Sequence, residues 1–360
     1  MGEVEIAQRT AEWLGVKFVK AHMSESELAS RFEDAVYHCE HHNPDLNFVG
    51  KYALSEVPRQ YGYKVVLTGE GSDEQFAGYP QFLPDYLSGL DLPDEERRGL
   101  VRESEEAIKT LYEDMGATSR FFEEENKLNL SIPASMLAFA PPQTIFAPWA
   151  RKQFGKIDPV DTVSNNLDGV ARDRIRDRWH PLNSAMYTWS KGNLVNQFLS
   201  CLGDRVEMAH SIEARTPFLD HHLTTYVNSL PPDLKLHPDP TNKGKYIEKY
   251  ALREAMKEFV TPEIYARRKH AYSAPTKFDT GGPIRSMLER VVTREGVEAL
   301  GFMDWEEVEG LMGRAFGGEG EARAWRVVLI VAEWVVLGKR FGVKKAGGPR
   351  MKANGESKLK

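Results

Sequence analysis

Lys64-Val65-Val66-Leu67-Thr68-Gly69-Glu70-Gly71-Ser72-Asp73-Glu74-Gln75-Phe76-Ala77-Gly78-Tyr79 runs from an apolar triplet into a turn crowded with glycine and carboxylate. Val65, Val66 and Leu67, bounded by turn residues, predict a short buried strand of a parallel sheet over 64–68. Gly69 and Gly71 let the chain turn sharply at the strand's C-terminal end and leave backbone accessible there. Ser72 or Asp73 can cap a helix that follows. A strand that passes through a glycine turn into a helix N-terminus gathers backbone N–H groups, which suits an anion. Glu70, Asp73 and Glu74 crowd the same turn and suit a hard cation such as magnesium. Phosphate and magnesium together indicate a nucleotide site. An ordinary strand-to-helix junction accounts for the same glycines without one.

Towards the N-terminus, Ile6, Ala7, Thr10, Trp13 and Leu14 share one face of a helix over 3–14, with Gly15 as its C-cap. Residues 16–21 alternate and are expected as a strand. Ser24 opens a helix through about Cys39, with Glu27 in capping-box position. A further helix runs from about Phe48 to Gln60. Helix, strand, two helices and a strand predict an α/β unit with parallel strands.

Towards the C-terminus the pattern changes. Residues 84–93 read as a linker. Helical periods then dominate, over 95–112, 118–127, 133–139, 147–154, 173–178, 183–202, 243–259, 304–316 and 321–341. The segment 262–275 is basic and partly irregular. The apolar run from Val327 to Leu337 carries Glu333 and is too short to span a bilayer, so a buried helix is expected. The Lys-, Gly- and Ser-rich segment 344–360 reads as a disordered tail.

The 360 residues allow two or three domains, or one large one. A net charge of −6 lays no basic footprint for nucleic acid. Cys39 and Cys201 are the two cysteines, which argues against a disulfide scaffold and for a reducing compartment. The spacing of His38, Cys39, His41 and His42 fits no standard zinc finger. The N-terminal residues lack the basic and apolar regions of a signal peptide. A cytoplasmic protein without nucleic-acid or membrane partners is expected.

Two further segments stand out beside the opening one. They are Gly203-Asp204-Arg205-Val206-Glu207-Met208-Ala209-His210-Ser211-Ile212-Glu213-Ala214-Arg215-Thr216-Pro217-Phe218-Leu219-Asp220 and Arg267-Arg268-Lys269-His270-Ala271-Tyr272-Ser273. The three, in this order, resemble the C-terminal synthetase domain of the glutamine-dependent asparagine synthetases and of relatives such as β-lactam synthetase. The family's first motif is S-G-E-G-S-D-E. Its second is D-R-x-x-M-x-x-S-x-E-A-R-x-P-F-L-D, and its third places a lysine before a serine. The likeness covers about residues 1–341.

The resemblance implies an ATP pyrophosphatase-type fold: an incomplete adenine-nucleotide α-hydrolase-like parallel sheet followed by a mostly helical part. Residues 1–85 would be the remnant of the nucleotide-binding part, 86–341 the helical part, and 342–360 the tail. It also implies ATP-dependent amidation of aspartate through a β-aspartyl-adenylate, with magnesium. Thr68, Gly69, Gly71 and Ser72 would border the nucleotide, and Asp73 would hold magnesium beside pyrophosphate. Glu70 would contact substrate and take the proton that attacking ammonia must lose. Lys269 would stabilise charge on the reacting carboxylate and phosphate. Glu213 and Arg215 admit two readings, a substrate role or a buried pair holding two helices. Asp204 and Arg205 read as structural, Arg267 and Arg268 as a solvated charge run, and His221 and His222 as caps of the second motif.

Two family features are absent from the sequence. The glutaminase domain, with its cysteine after the initiator methionine, is expected to be missing, since residue 2 is Gly. The S-G-G-x-D-S pyrophosphate loop is missing with the two strands that would lie between 16–21 and 64–68, so apolar edges lack partners. Ammonia, or a separate glutaminase partner, would then supply nitrogen. Three functions are expected: a truncated asparagine-synthetase-like ligase, a catalytically inactive paralogue that acts as a binding partner, or an amide- or lactam-forming ligase of specialised metabolism.

Overall fold

The computed structural model describes residues 3–117, 128–155, 158–268, 274–275, 277–279, 281–317 and 320–347. The predicted helix over 118–127 and the candidate Lys269 lie outside the described residues, as does most of the predicted tail.

The N-terminal part is built from α1 (Glu3–Leu14), α2 (Glu25–Cys39), α3 (Asn47–Gln60), β1 (Val65–Leu67) and the single turn α4 (Ser72–Gln75). Gly15 ends α1 in a left-handed conformation, φ 68°, and Val16 N–H reaches back to Ala11 O at 3.0 Å. The apolar face predicted for α1 is not covered: Ala11 is its buried residue, and Trp13 and Leu14 are more than half exposed. Residues 16–21 form no strand, because no neighbouring strand offers them a ladder among the described residues. The capping box at α2 is present, with Glu27 N–H on Ser24 Oγ and Ser24 N–H on Glu27 Oε2 at 2.7 Å.

β1 lies parallel to β2 (Glu213–Arg215) in the register Val65↔Glu213, Val66↔Ala214 and Leu67↔Arg215. Glu213 N–H to Lys64 O and Thr68 N–H to Arg215 O extend the ladder at both ends. The expectation of a buried β1 is corrected. Leu67 is 75% exposed and Val65 38%, because β1 has a strand on one side only among the described residues. β3 (Leu236–Pro238) and β4 (Tyr246–Glu248) form a separate antiparallel pair. The helix predicted over 243–259 is therefore shorter. It spans Tyr250–Met256 and follows Lys249, which adopts a left-handed φ of 55° that a continuous helix excludes. The predicted linker 84–93 is partly helical, over Leu83–Ser88, because Tyr86 and Leu87 pack inward.

The core centres on the helix Ala322–Arg340, whose Val327–Ala332 run is almost wholly shielded from water. The predicted buried C-terminal helix is thus observed. It packs against α2 and the helices Pro283–Val291 and Trp305–Phe316. Each fully buried Val or Leu adds about 1.5–3 kcal/mol relative to leaving it exposed. A second apolar cluster joins Ala77, Phe82 and Tyr86 to Leu182, Ala185 and Trp189. The helix Pro181–Trp189 continues as a π-helix over Ser190–Arg205. Cys201 on that segment is joined to Cys39 at the end of α2, the Cα atoms 5.0 Å apart. The two cysteines, which in sequence argue against a disulfide scaffold and for a reducing compartment, are thus bonded to each other. The crossing of two elements 162 residues apart brings them together.

Candidate functional site

The turn after β1 is held by side chains from three distant segments. Gly71 has φ 95°, and a Cβ there would fall 2.4 Å from a Leu219 methyl, so the left-handed turn needs glycine. Neither Ser72 nor Asp73 caps α4. Gly71 is the cap residue, and its N–H donates to Glu74 Oε2 at 3.0 Å. Ser72 N–H donates to Gly69 O. The N–H groups of Gly71 and Ser72 are therefore spent within the turn. Gly69 faces open space, since a Cβ there meets nothing within 4 Å. Thr68 Oγ1 is buried and has no hydrogen-bond partner among the described residues.

The three carboxylates of the turn do not converge on one point. Each has its own partner. Glu74 is buried, accepts from the Tyr79 hydroxyl at 2.7 Å, and is pushed above the usual carboxylate range by burial, which those hydrogen bonds oppose. Burial and the neighbouring Glu74 raise the Tyr79 phenol well above its usual range. Asp73 Oδ1 lies 2.9 Å from Lys249 Nζ, which also donates to Ser72 Oγ at 3.0 Å. Glu70 Oε1 lies 3.0 Å from Lys51 Nζ, and Lys51 stands 3.4 Å from Glu207 Oε1. Glu207 is raised by burial, with the Lys51 charge opposing, and its Oε2 is buried without a partner among the described residues. Among the described residues no three His, Cys, Asp or Glu side chains group to hold a metal.

Lys51, Glu207 and Lys249 were not singled out as site residues from sequence. Lys51 sits on α3 beside the buried Phe48, Val49 and Tyr52, at the border of the core face. Glu207 lies inside the second motif, at a position the motif leaves unspecified. Lys249 is fixed by its left-handed backbone and by its N–H on Phe76 O at 3.1 Å. A non-glycine residue at positive φ is a strain that the surrounding structure must hold, and nothing in the string of residues announces it.

The second motif is split by the fold. Glu213 and Arg215 lie on β2 and pair with each other at 2.8 Å, both exposed. This corrects the reading of a buried pair between helices. Arg205 donates to Cys39 O at 3.1 Å, a structural role. Asp220, and not the two histidines, caps the next helix by accepting from His222 and Leu223 N–H. Arg267 and Arg268 make ion pairs with Glu3 and Asp239. Cys39, which stands beside His38, His41 and His42 in the sequence, is bonded to Cys201. Among the described residues no helix is long and apolar enough to cross a membrane.

A family model described as asparagine synthase matches residues 1–336. The chain is 43% identical over 354 residues to the amidase chyE of Penicillium rubens, covering 96% of this chain and 52% of the relative. It is 41% identical over 360 residues to the amidase chry2 of Gibberella zeae, covering 97% and 52%. Similarity extends to an asparagine synthetase (glutamine-hydrolyzing) of Bacillus subtilis, at 22% identity over 316 residues, covering 84% and 45%. The chain spans about half the length of these curated relatives.

Proposed function

The chain belongs to the asparagine synthase family, and from that premise we propose that it carries the amide-forming centre of an ATP-dependent carboxylate–amine ligase. The observation that supports this most is the arrangement at the end of β1. Glu70 is tethered by Lys51, and three residues further along the chain the pair Asp73–Lys249 flanks the same turn. Carboxylates of the turn meet there with ammonium groups that reach in from α3 and from Lys249.

In this reading Glu70 accepts the proton that attacking ammonia loses as the amide forms. Lys51, held between Glu70 and Glu207, keeps the Glu70 carboxylate in place. Lys249 orients Asp73 and Ser72. The buried Thr68 hydroxyl, unpartnered among the described residues, and the open space at Gly69 fit a nucleotide lying against the turn. When bound, ATP supplies activation of the carboxylate with loss of pyrophosphate, and magnesium supplies charge neutralisation. Asp73 would be the protein's ligand to magnesium, the remaining positions falling to phosphate and water, a common pattern for this ion. Lys269, by family resemblance, would face the reacting carboxylate.

We take the acceptor to be a carboxylate other than free aspartate. Two relatives above 40% identity are named amidases, whereas the asparagine synthetase of Bacillus subtilis stands at 22%. Amidation of aspartate is the second reading, favoured by the family name. Release of AMP and pyrophosphate from ATP, magnesium and ammonium is measured across a panel of carboxylic acids that includes aspartate. Turnover with a non-aspartate acid that Glu70→Gln reduces at least a hundredfold supports the proposal. Turnover with aspartate alone selects the second reading. No AMP from any acid overturns both and leaves an inactive paralogue.

A further inference from the structure

A cavity of about 870 Å3 lies between the loop that precedes α3, the helix Ile132–Leu137 and the Pro181–Arg205 segment. That volume lies within the range of small-molecule sites. Glu70, Lys51, Asp73 and Lys249 do not line it, and Tyr79, whose hydroxyl donates to Glu74, is shared between the cavity wall and the turn after β1. Tyr79, Phe139, Trp189 and Phe198 give it flat aromatic walls, and Asn43, Asn47, Asn193 and Gln197 give it carboxamides.

Trp189 and Asn47 each bring it a polar group without a partner among the described residues. Trp189 is only 4% exposed, yet its indole N–H has no acceptor among the described residues. Asn47 Oδ1 is a buried acceptor without a donor among the described residues, although its own amide nitrogen donates to Asp45. A buried polar group left unsatisfied costs about 1–3 kcal/mol, which a ligand bonding to it recovers.

The lining has little charge to offer an ion. Asp45 faces Arg326 at 3.8 Å and accepts from Asn47. Lys191 is exposed, its ammonium 5.7 Å from the Tyr187 ring. His42 is kept neutral by burial, which pushes it down to about 4. The buried Arg326 behind Asp45 and Phe139 is already engaged by Asp45 and by the Met115 and Pro44 carbonyls, so a carboxylate bound deep in the cavity would lose its water without gaining a cation of its own, which is costly.

We propose that this cavity binds an uncharged, planar aromatic molecule bearing a carboxamide, whose carbonyl accepts from the Trp189 indole N–H. The site stands apart from the ligase reading and can fail or hold independently of it.

Benzamide and benzoate serve as probes in calorimetric titration of the 360-residue chain at pH 7. Saturable binding of benzamide is expected, with benzoate at least tenfold weaker. Trp189→Phe keeps an aromatic ring and removes the donor, so benzamide binding should weaken roughly tenfold. Trp13→Phe, on the exposed face of α1, should leave it unchanged. Where Trp189→Phe does not fold, Asn47→Asp removes the amide and adds charge beside the cavity, and should abolish binding. Absence of saturable benzamide binding, equal binding of benzoate, or an unaltered Kd in the folded cavity variant overturns the proposal.

Discussion

Lys51 Nζ stands 3.0 Å from Glu70 Oε1 and 3.4 Å from Glu207 Oε1, so one lysine of α3 links the turn after β1 to the second motif. Glu207 is almost fully buried, whereas Lys51 and Glu70 keep about a quarter of their side-chain surface. The buried carboxylate therefore anchors the lysine, and the lysine positions the accessible carboxylate.

Lys51→Met removes that link while keeping the apolar stem. If Glu70 acts as the base, its displacement should slow amide formation roughly ten- to hundredfold, and Lys51→Arg should restore part of the rate. Pyrophosphate release under saturating ATP measures both variants. An unchanged rate in Lys51→Met would show that Glu70 needs no tether.

Gly78→Ala tests the neighbouring pair. A Cβ at Gly78 would fall 2.1 Å from Asp73 Oδ1 and 2.3 Å from Lys249 Cε, so the carboxylate and the lysine stem must both give way. A stability loss of about 1–3 kcal/mol is expected, together with weaker ATP binding by calorimetry. Wild-type melting and wild-type affinity in this variant would mean that the pair does not contribute to the turn.

Arg326 is 2% exposed and donates to Met115 O and Pro44 O, each at 2.7 Å, with its guanidinium over the Phe139 ring. Arg326→Met fills similar space but strands both carbonyls and leaves Asp45 without its cation. A cost of about 3–5 kcal/mol is expected. Urea unfolding reads it directly, and a change below about 1 kcal/mol would contradict the account.

Asp85 carries a pH signature. Burial pushes its carboxyl up to about 8, although Ser131 N–H donates to it, while the unfolded chain releases the proton near 3.8. Between those values the native state binds the extra proton, so stability falls as pH rises. This group's contribution is full below about pH 4 and is gone above about pH 8. Its slope is at most about 1.4 kcal/mol per pH unit. Asp85→Asn should flatten the profile between pH 5 and 8 and stabilise the protein at the upper end. Parallel urea-derived profiles for the two proteins would refute it.

The parts legible in sequence were those governed by neighbours along the chain. The Ser24–Glu27 box, the Gly15 cap, the strand at Val65–Leu67 and the apolar run of the last helix each depend on residues within a few positions. The strand at Glu213–Arg215 was not legible, since three residues carry no period and its ladder is supplied by β1 from 148 positions away in the register Val65↔Glu213. The same holds for the α1 face. Its apolar spacing was real, but spacing alone does not provide a surface to bury it.

At the turn itself, the residues determined chemistry and the fold determined pairing. Glycine at position 71 and the three carboxylates belong to the sequence, because a left-handed turn and a cluster of acids follow from residue type and local order. Which acid meets Lys51, which meets Lys249 and which is closed off by Tyr79 belongs to the tertiary structure. Those partners come from positions 5 to 176 residues away. Charge pairs of that kind depend on distances of a few ångströms, which only the packing of α3, β1 and the segment around Lys249 sets.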